Sequence, residues 1–178
     1  IELAKLNIES QFINGLRVTN KQTMVVVEKA LVDFNSEIIE KLKKKECKAD
    51  GLNVAQNNIF IVEQENKELG FVGRPKKILN EKIQYIINKR QIPVISPMGK
   101  DVKGKKYNIN ADTAAAAVAK SLKSRRLLLM TDVSGVYGEN KKLINEINPV
   151  EAKHLIDKKI VEGGMIPKLL NSIDATEN

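Results

Sequence analysis

Polar and apolar residues alternate with two periods along this chain, and the switches between them mark its elements. Met24 to Phe34 and Ile38 to Leu42 carry helical spacing, with a break expected near Asn35, and Thr19 to Gln22 (TNKQ) reads as a capping box ahead of them. Short strand-like runs follow at Lys48 to Val54, Ile59 to Glu63 and Gly70 to Leu79, with Asn57-Asn58 as a turn between the first two. Asn80 to Arg90 returns to helical spacing, with Ile83, Ile86 and Ile87 on one face. Gln91 to Met98 reads as a buried strand, and Asp101 to Asn108 as a small hairpin around Lys103-Gly104. Ala111 to Lys123 is predicted as helix. Arg126 to Thr131 is a continuous apolar run of the kind buried on both faces of a parallel sheet. Pro149 to Lys158, with proline in its first turn, and a segment starting at Ile166 complete the helices. Strands alternating with helices predict an α/β fold, a three-layer αβα sandwich with a mainly parallel central sheet. The composition changes between Ser121 and Arg126, which predicts two lobes, residues 1–122 and 123–178.

Composition narrows the classes. With 178 residues and 42% hydrophobic content the chain can bury a real core. No apolar run approaches the roughly 20 residues that span a bilayer. The single Cys47 excludes an internal disulfide framework and fits a reducing compartment. The chain begins at Ile1 and its last residues keep a helix-like pattern, so it reads as a piece of a longer protein. A net charge of +8 raises nucleic acid as a partner, yet the cations are scattered and gather at predicted helix ends, as in KLKKKE (Lys41 to Glu46). Aromatics make up 4% with no Trp, which leaves little for bases to stack on, so no nucleic-acid partner is expected.

Candidate chemistry lies in loops, because ligands of open α/β sheets bind beyond the carboxyl ends of strands. In EGGMIPK, Gly163 and Gly164 let a ligand approach the backbone, and Lys168 falls near the start of a helix, where the dipole disfavours a cation. Either a phosphate relieves that conflict or the lysine tolerates a small penalty. In TDVSGVYG, Asp132 can hold a ribose hydroxyl and Gly135 can admit a base or sugar, although Asp and Gly are also ordinary turn residues. In YNINAD, Asn108, Asn110 and Asp112 share one side if the segment is extended. Helix capping explains one of these three polar groups but not all of them. Arg17, in NGLRVT, can clamp a carboxylate with its planar fork, or be a surface residue. The only histidine, His154, sits within a helical pattern, which argues against histidine-dependent acyl transfer and histidine-based metal sites. No Walker-type phosphate loop is present.

NGLRVT, LGFVG (Leu69 to Gly73), IPVISPMG (Ile92 to Gly99), YNINADTAA, LLLMTDVSGV and GGMIPK occur in a set order. With these motifs the chain resembles the amino acid kinase family over nearly its whole length. NGLRVT and NINAD favour the branch of that family acting on N-acetyl-L-glutamate. The resemblance implies MgATP-dependent phosphorylation of that acid's side-chain carboxylate to an acyl phosphate, in arginine biosynthesis. It implies that Arg17 holds the substrate's α-carboxylate and that Asn108, with Asn110 beside it, contacts the substrate. Asp112 would orient catalytic lysines and Lys168 would stabilise the transferring phosphoryl group. Asp132, Val133, Gly135, Gly163, Gly164 and Met165 would line the nucleotide pocket, and the metal would ride on ATP rather than on a protein site. A homodimer or larger homo-oligomer is implied, in the bacterial cytoplasm or, alternatively, a plastid stroma. Two glycine-rich loops, the first with a lysine, are expected upstream of Ile1, and final strands downstream of Asn178. The segment alone is therefore expected to be a poor catalyst. Asn53 and Val54 stand where the family shows a serine–glycine loop. The rival readings are a kinase for a longer acyl amino acid such as N-acetylaminoadipate, or a non-catalytic ligand-binding module of the same fold.

Overall fold

The computed structural model describes residues 2–176. Helix α1 (Glu2–Lys5) leads into a hairpin of β1 (Phe12–Ile13) and β2 (Leu16–Arg17). Asn14 and Gly15 form its two-residue turn with φ of 49° and 78°, the left-handed pair that matches strand twist and favours Asn-Gly. Helix α2 (Lys21–Lys44) follows. Its cap is Asn20, whose side chain accepts from the Thr23 amide at 2.8 Å, so the expected Thr19–Gln22 box does not form. Thr19 is instead fully buried and bonds to its neighbours like a strand residue: its amide donates to the Leu69 carbonyl, and its own carbonyl accepts from Phe71.

The expected break at Asn35 is also absent, and α2 runs through it unbroken. Asparagine is a weak helix former, but tertiary contact overrides that preference. Asn35 is buried and its Nδ2 donates to the Val94 carbonyl at 2.9 Å. Its other side-chain atom packs so close to Gly51 that a Cβ there would sit 2.8 Å away. Lys41, Lys43 and Lys44 lie in the last turn, where cations complement the dipole.

The remaining strands are β3 (Ala49–Leu52), β4 (Phe60–Gln64), β5 (Gly73–Ile78), β6 (Ile92–Ile95), β7 (Met98–Lys100) and β8 (Lys106–Asn108), with α3 (Asn80–Asn88) before β6. β3 pairs parallel with β6, while β5-β4-β7-β8 form a four-stranded sheet in which β4 and β7 run parallel. The β4–β5 and β7–β8 pairs are antiparallel. The fold class is the expected α/β. The single strand expected over Gln91 to Met98 is two: at Ser96-Pro97 the chain leaves one ladder and enters the other. The turn expected at Asn57-Asn58 is set earlier, where the Asn53 side chain accepts from the Ala55 and Gln56 amides at 3.1 Å. Asn53 thus closes its own loop. Val54 is completely buried, packed with Met24 and Met98.

Helix α4 (Ala111–Ser121) covers this side. α5 (Pro149–Asp157) carries a capping box of Asn148 and Glu151 behind its N-terminal proline. α6 (Met165–Thr176) starts one residue earlier than expected, so Pro167 is its third residue and Lys168 its fourth. Phe60, Ile83 and Ile109 anchor one core, and Leu155, Leu169 and Ile173 a second. The main departure is Arg126 to Thr131. It forms no strand, and Leu128 and Met130 are 80% and 86% exposed. A strand exists only through bonds to neighbours, and none among the described residues pairs with it.

Candidate active site

The Asn-Gly hairpin places Arg17 on β2. Its guanidinium lies 4.6 Å over the Phe12 ring and donates to the Ser10 hydroxyl, so a ring of its own hairpin and a hydroxyl just ahead of it aim it. Thr19 then joins Leu69 and Phe71, and Val72 bridges to Asn108. This brings the NGLRVT, LGFVG and YNINAD segments side by side. Gly70, with φ of 69°, permits the approach, since a Cβ there would stand 2.5 Å from the Thr19 carbonyl oxygen. Asn108 donates to the Thr19 hydroxyl at 3.4 Å. Arg17, Asn108 and Asn110 line one cavity of about 1070 Å³.

The chain leaves that cavity through the cap of α4. Asn110 is the N-cap residue, and its Oδ1 accepts from both the amide and the hydroxyl of Thr113, at 3.0 and 3.2 Å. Asp112, two residues on, faces α6. Lys168 donates to both of its carboxylate oxygens at 3.0 Å, and the two side chains are only 22% and 18% exposed. The conflict between Lys168 and the helix dipole is thus relieved by a carboxylate of the chain itself. The alanines behind Asp112 let α4 pack closely, with Ala114 and Ala116 buried. Two neighbours of this pair escaped the reading of the sequence. Thr113 carried a signal, three residues past an Asn cap. Asn171 carried none: it donates to the Thr113 hydroxyl at 3.1 Å from one turn beyond Lys168.

The loop before α6 meets the hairpin. A Cβ on Gly15 would lie 3.3 Å from the Gly163 carbonyl oxygen and 3.3 Å from Pro167. Gly163, with φ of 57°, and Gly164 have open space where side chains would be, so their backbone is accessible. Met165 turns partly into the second core. Asp132, Val133 and Gly135 lie in an irregular stretch. Val133 is 47% exposed, and Gly135 packs near Leu143. Among the described residues, no hydrogen bond or ion pair joins these three to Lys168 or Asp112. His154 is exposed on α5. Among the described residues, no cluster of three His, Cys, Asp or Glu could hold a metal ion and no helix is long and apolar enough to cross a membrane.

The model of the amino acid kinase family matches residues 1–178, and the chain belongs to that family. Within it, the chain is 50% identical to the acetylglutamate kinase of Pelagibacter ubique over 177 residues, covering 99% of this chain and 62% of that protein. It is 40% identical to the acetylglutamate kinase of Ruegeria pomeroyi, with the same shares. The chain therefore spans less than two thirds of the length of these curated relatives. Among solved structures it matches smu.665 from Streptococcus mutans with a TM-score of 0.91 at 32% identity, over 97% of this chain and 71% of that one. N-acetylglutamate synthase from Neisseria gonorrhoeae, at 18% identity and a TM-score of 0.84, shares the fold over 98% of this chain and 40% of its own.

Proposed function

We propose that the protein transfers the γ-phosphoryl group of MgATP to the side-chain carboxylate of N-acetyl-L-glutamate. One carboxylate oxygen bonds to phosphorus, the bond to the bridging oxygen breaks, and ADP leaves with that electron pair. The observation that carries this reading is the Lys168–Asp112 pair, set beside a cavity lined by Arg17, Asn108 and Asn110. Similarity to acetylglutamate kinases supports the choice of acid.

The chemistry fits the residues present. The acceptor's ordinary pKa is about 4.3, so it is already ionised at neutral pH and no general base is required. The barrier comes from bringing two anions together while charge spreads over the phosphoryl oxygens. Arg17 holds the acid's other carboxylate and the two asparagines hold its acetamido end. Asp112 fixes the lysine, and the Lys168 ammonium meets the developing charge from a fixed position. We assign residues 1–122 to the acid and 123–178 to the nucleotide, with Asp132, Val133, Gly135 and the open Gly163-Gly164-Met165 backbone along the latter. Magnesium bound to the nucleotide supplies further charge neutralisation. The protein would act as a homodimer in arginine biosynthesis in the bacterial cytoplasm, as its resemblance to the bacterial relatives suggests.

Lys168→Ala and Asp112→Asn test the assignment in the protein at its natural length. Each is expected to lower kcat by about a hundredfold or more with the fold intact by circular dichroism. Unchanged turnover in both would remove the catalytic reading and favour a ligand-binding module. Assaying N-acetylaminoadipate alongside acetylglutamate decides the chain length of the acid.

A further inference from the structure

Helices α4 and α6 come from opposite sides of the irregular stretch, yet the proposed phosphoryl-transfer chemistry needs one residue from each. Apolar packing between them, with alanines on one side, sets their separation, but the shallow ridges that alanines form key the register only weakly. Register comes from polar rungs, and three are present. Lys120 to Asp174 spans 3.0 Å, but its side chains are 40% and 58% exposed, and such pairs contribute little. Asp112 to Lys168 is the pair to be positioned. The third rung is Asn171 to Thr113, both half-buried.

Thr113 works in two directions. Its hydroxyl accepts from Asn171 Nδ2 and donates to Asn110 Oδ1. Its amide donates to the same Oδ1, so this oxygen receives two hydrogen bonds from one residue. That fixes which end of the Asn110 amide is the oxygen. Asn110 is one of the residues lining the cavity, and the polar group its side chain has left to offer a ligand is the Nδ2 donor. A hydrogen-bond chain thus runs from α6 through Thr113 to a cavity-lining amide, one residue away from the lysine–aspartate contact.

We infer that Thr113 and Asn171 are positioning residues: they hold α6 in the register that seats Lys168 on Asp112, and Thr113 turns the Asn110 amide nitrogen toward an oxygen of the acidic substrate. This deepens the proposed kinase reading and rests on it. The two residues act differently. Loss of Asn171 disturbs register alone, whereas loss of the Thr113 hydroxyl disturbs register and the amide together.

Steady-state kinetics of the natural-length protein with acetylglutamate and MgATP test this. Asn171→Ala is expected to lower kcat about tenfold with KM for the acid within about twofold, while Thr113→Val lowers kcat and raises that KM, each about tenfold. Thr113→Ser, which keeps the hydroxyl, restores both constants, and the double variant Thr113→Val/Asn171→Ala is no worse than Thr113→Val alone. Wild-type constants in both single variants, or failure of serine to rescue a folded protein, would overturn the inference. If the wild-type protein transfers no phosphoryl group, the kinase reading fails by itself. Crystal structures of wild type and Thr113→Val then decide the positioning role. It stands if the Lys168–Asp112 contact opens and falls if that contact persists with Asn110 unmoved.

Discussion

Ala111 to Ser121 and Arg126 to Thr131 are near neighbours, both rich in apolar residues, and they end in opposite conditions. The first is a helix with Ala114 and Ala116 buried. The second has no regular structure and holds Leu128 and Met130 almost fully in solvent. Apolar sequence gives a segment the capacity to be buried, but partners decide whether it is. α4 finds β5 and α6 and satisfies its backbone internally. A strand has no such internal solution.

Substitution makes the contrast measurable. Phe60 is completely buried, and Phe60→Ala should destabilise this chain by about 3–5 kcal/mol. Leu128→Ala should stay within about 0.5 kcal/mol. Urea denaturation of both variants reads the difference, and a loss near that of Phe60 at Leu128 would abolish it. Repeating Leu128→Ala at natural length sharpens the lesson, since a large loss there alone would mean that polypeptide beyond these residues covers the stretch.

A second contrast, smaller in size, separates backbone strain from close packing. Gly70 and Gly104 both have positive φ, at 69° and 82°. A Cβ at Gly70 would collide with the Thr19 carbonyl that joins two site segments, while one at Gly104 would meet nothing within 4 Å. Gly104→Ala should cost about 1 kcal/mol, for the left-handed backbone alone. Gly70→Ala should cost at least about 1 kcal/mol more, because backbone must shift as well. Equal losses, measured by thermal unfolding, would show that the segment joined at Thr19 yields freely.

These contrasts also mark what the sequence could convey. Local signals read well. Pro149 gave away a helix start, the polar run from Asn108 to Asp112 a helix cap, and the α/β alternation the fold class. What escaped depended on distant partners. Asn35 looked like a helix breaker because the Val94 carbonyl that receives its amide lies 59 positions away. Thr19 looked like a cap because its strand-like pairing with Leu69 and Phe71 is tertiary. The apolar run after Arg126 looked buried because hydrophobicity says nothing about whether a neighbouring strand is present. At the site, Lys168 was flagged by its awkward place on a helix. Its partner Asp112 stands 56 positions earlier, and the bond between them is a product of helix packing. Asn171 had no local oddity at all.

The smallest contrast sets surface charge against the half-buried pair of the site. Glu63 on β4 accepts from Arg74 at 2.7 Å and lies 2.9 Å from Lys76, both on β5. Its hydrogen bonds to Arg74 and then to Lys76 hold the carboxyl below its ordinary value, and the Glu63 bond in turn raises Arg74. A carboxyl that binds its proton less readily when folded stabilises the fold above the unfolded carboxylate pKa. That stabilisation is lost as pH falls through the lower folded value. The Tm of wild type minus that of Glu63→Gln should therefore be positive at neutral pH and fade in strong acid. Added salt should shrink it, since all three groups are exposed to screening ions. A difference that grew as pH fell would mean that the pairing of β4 with β5, rather than the charge on Glu63, was what the substitution disturbed.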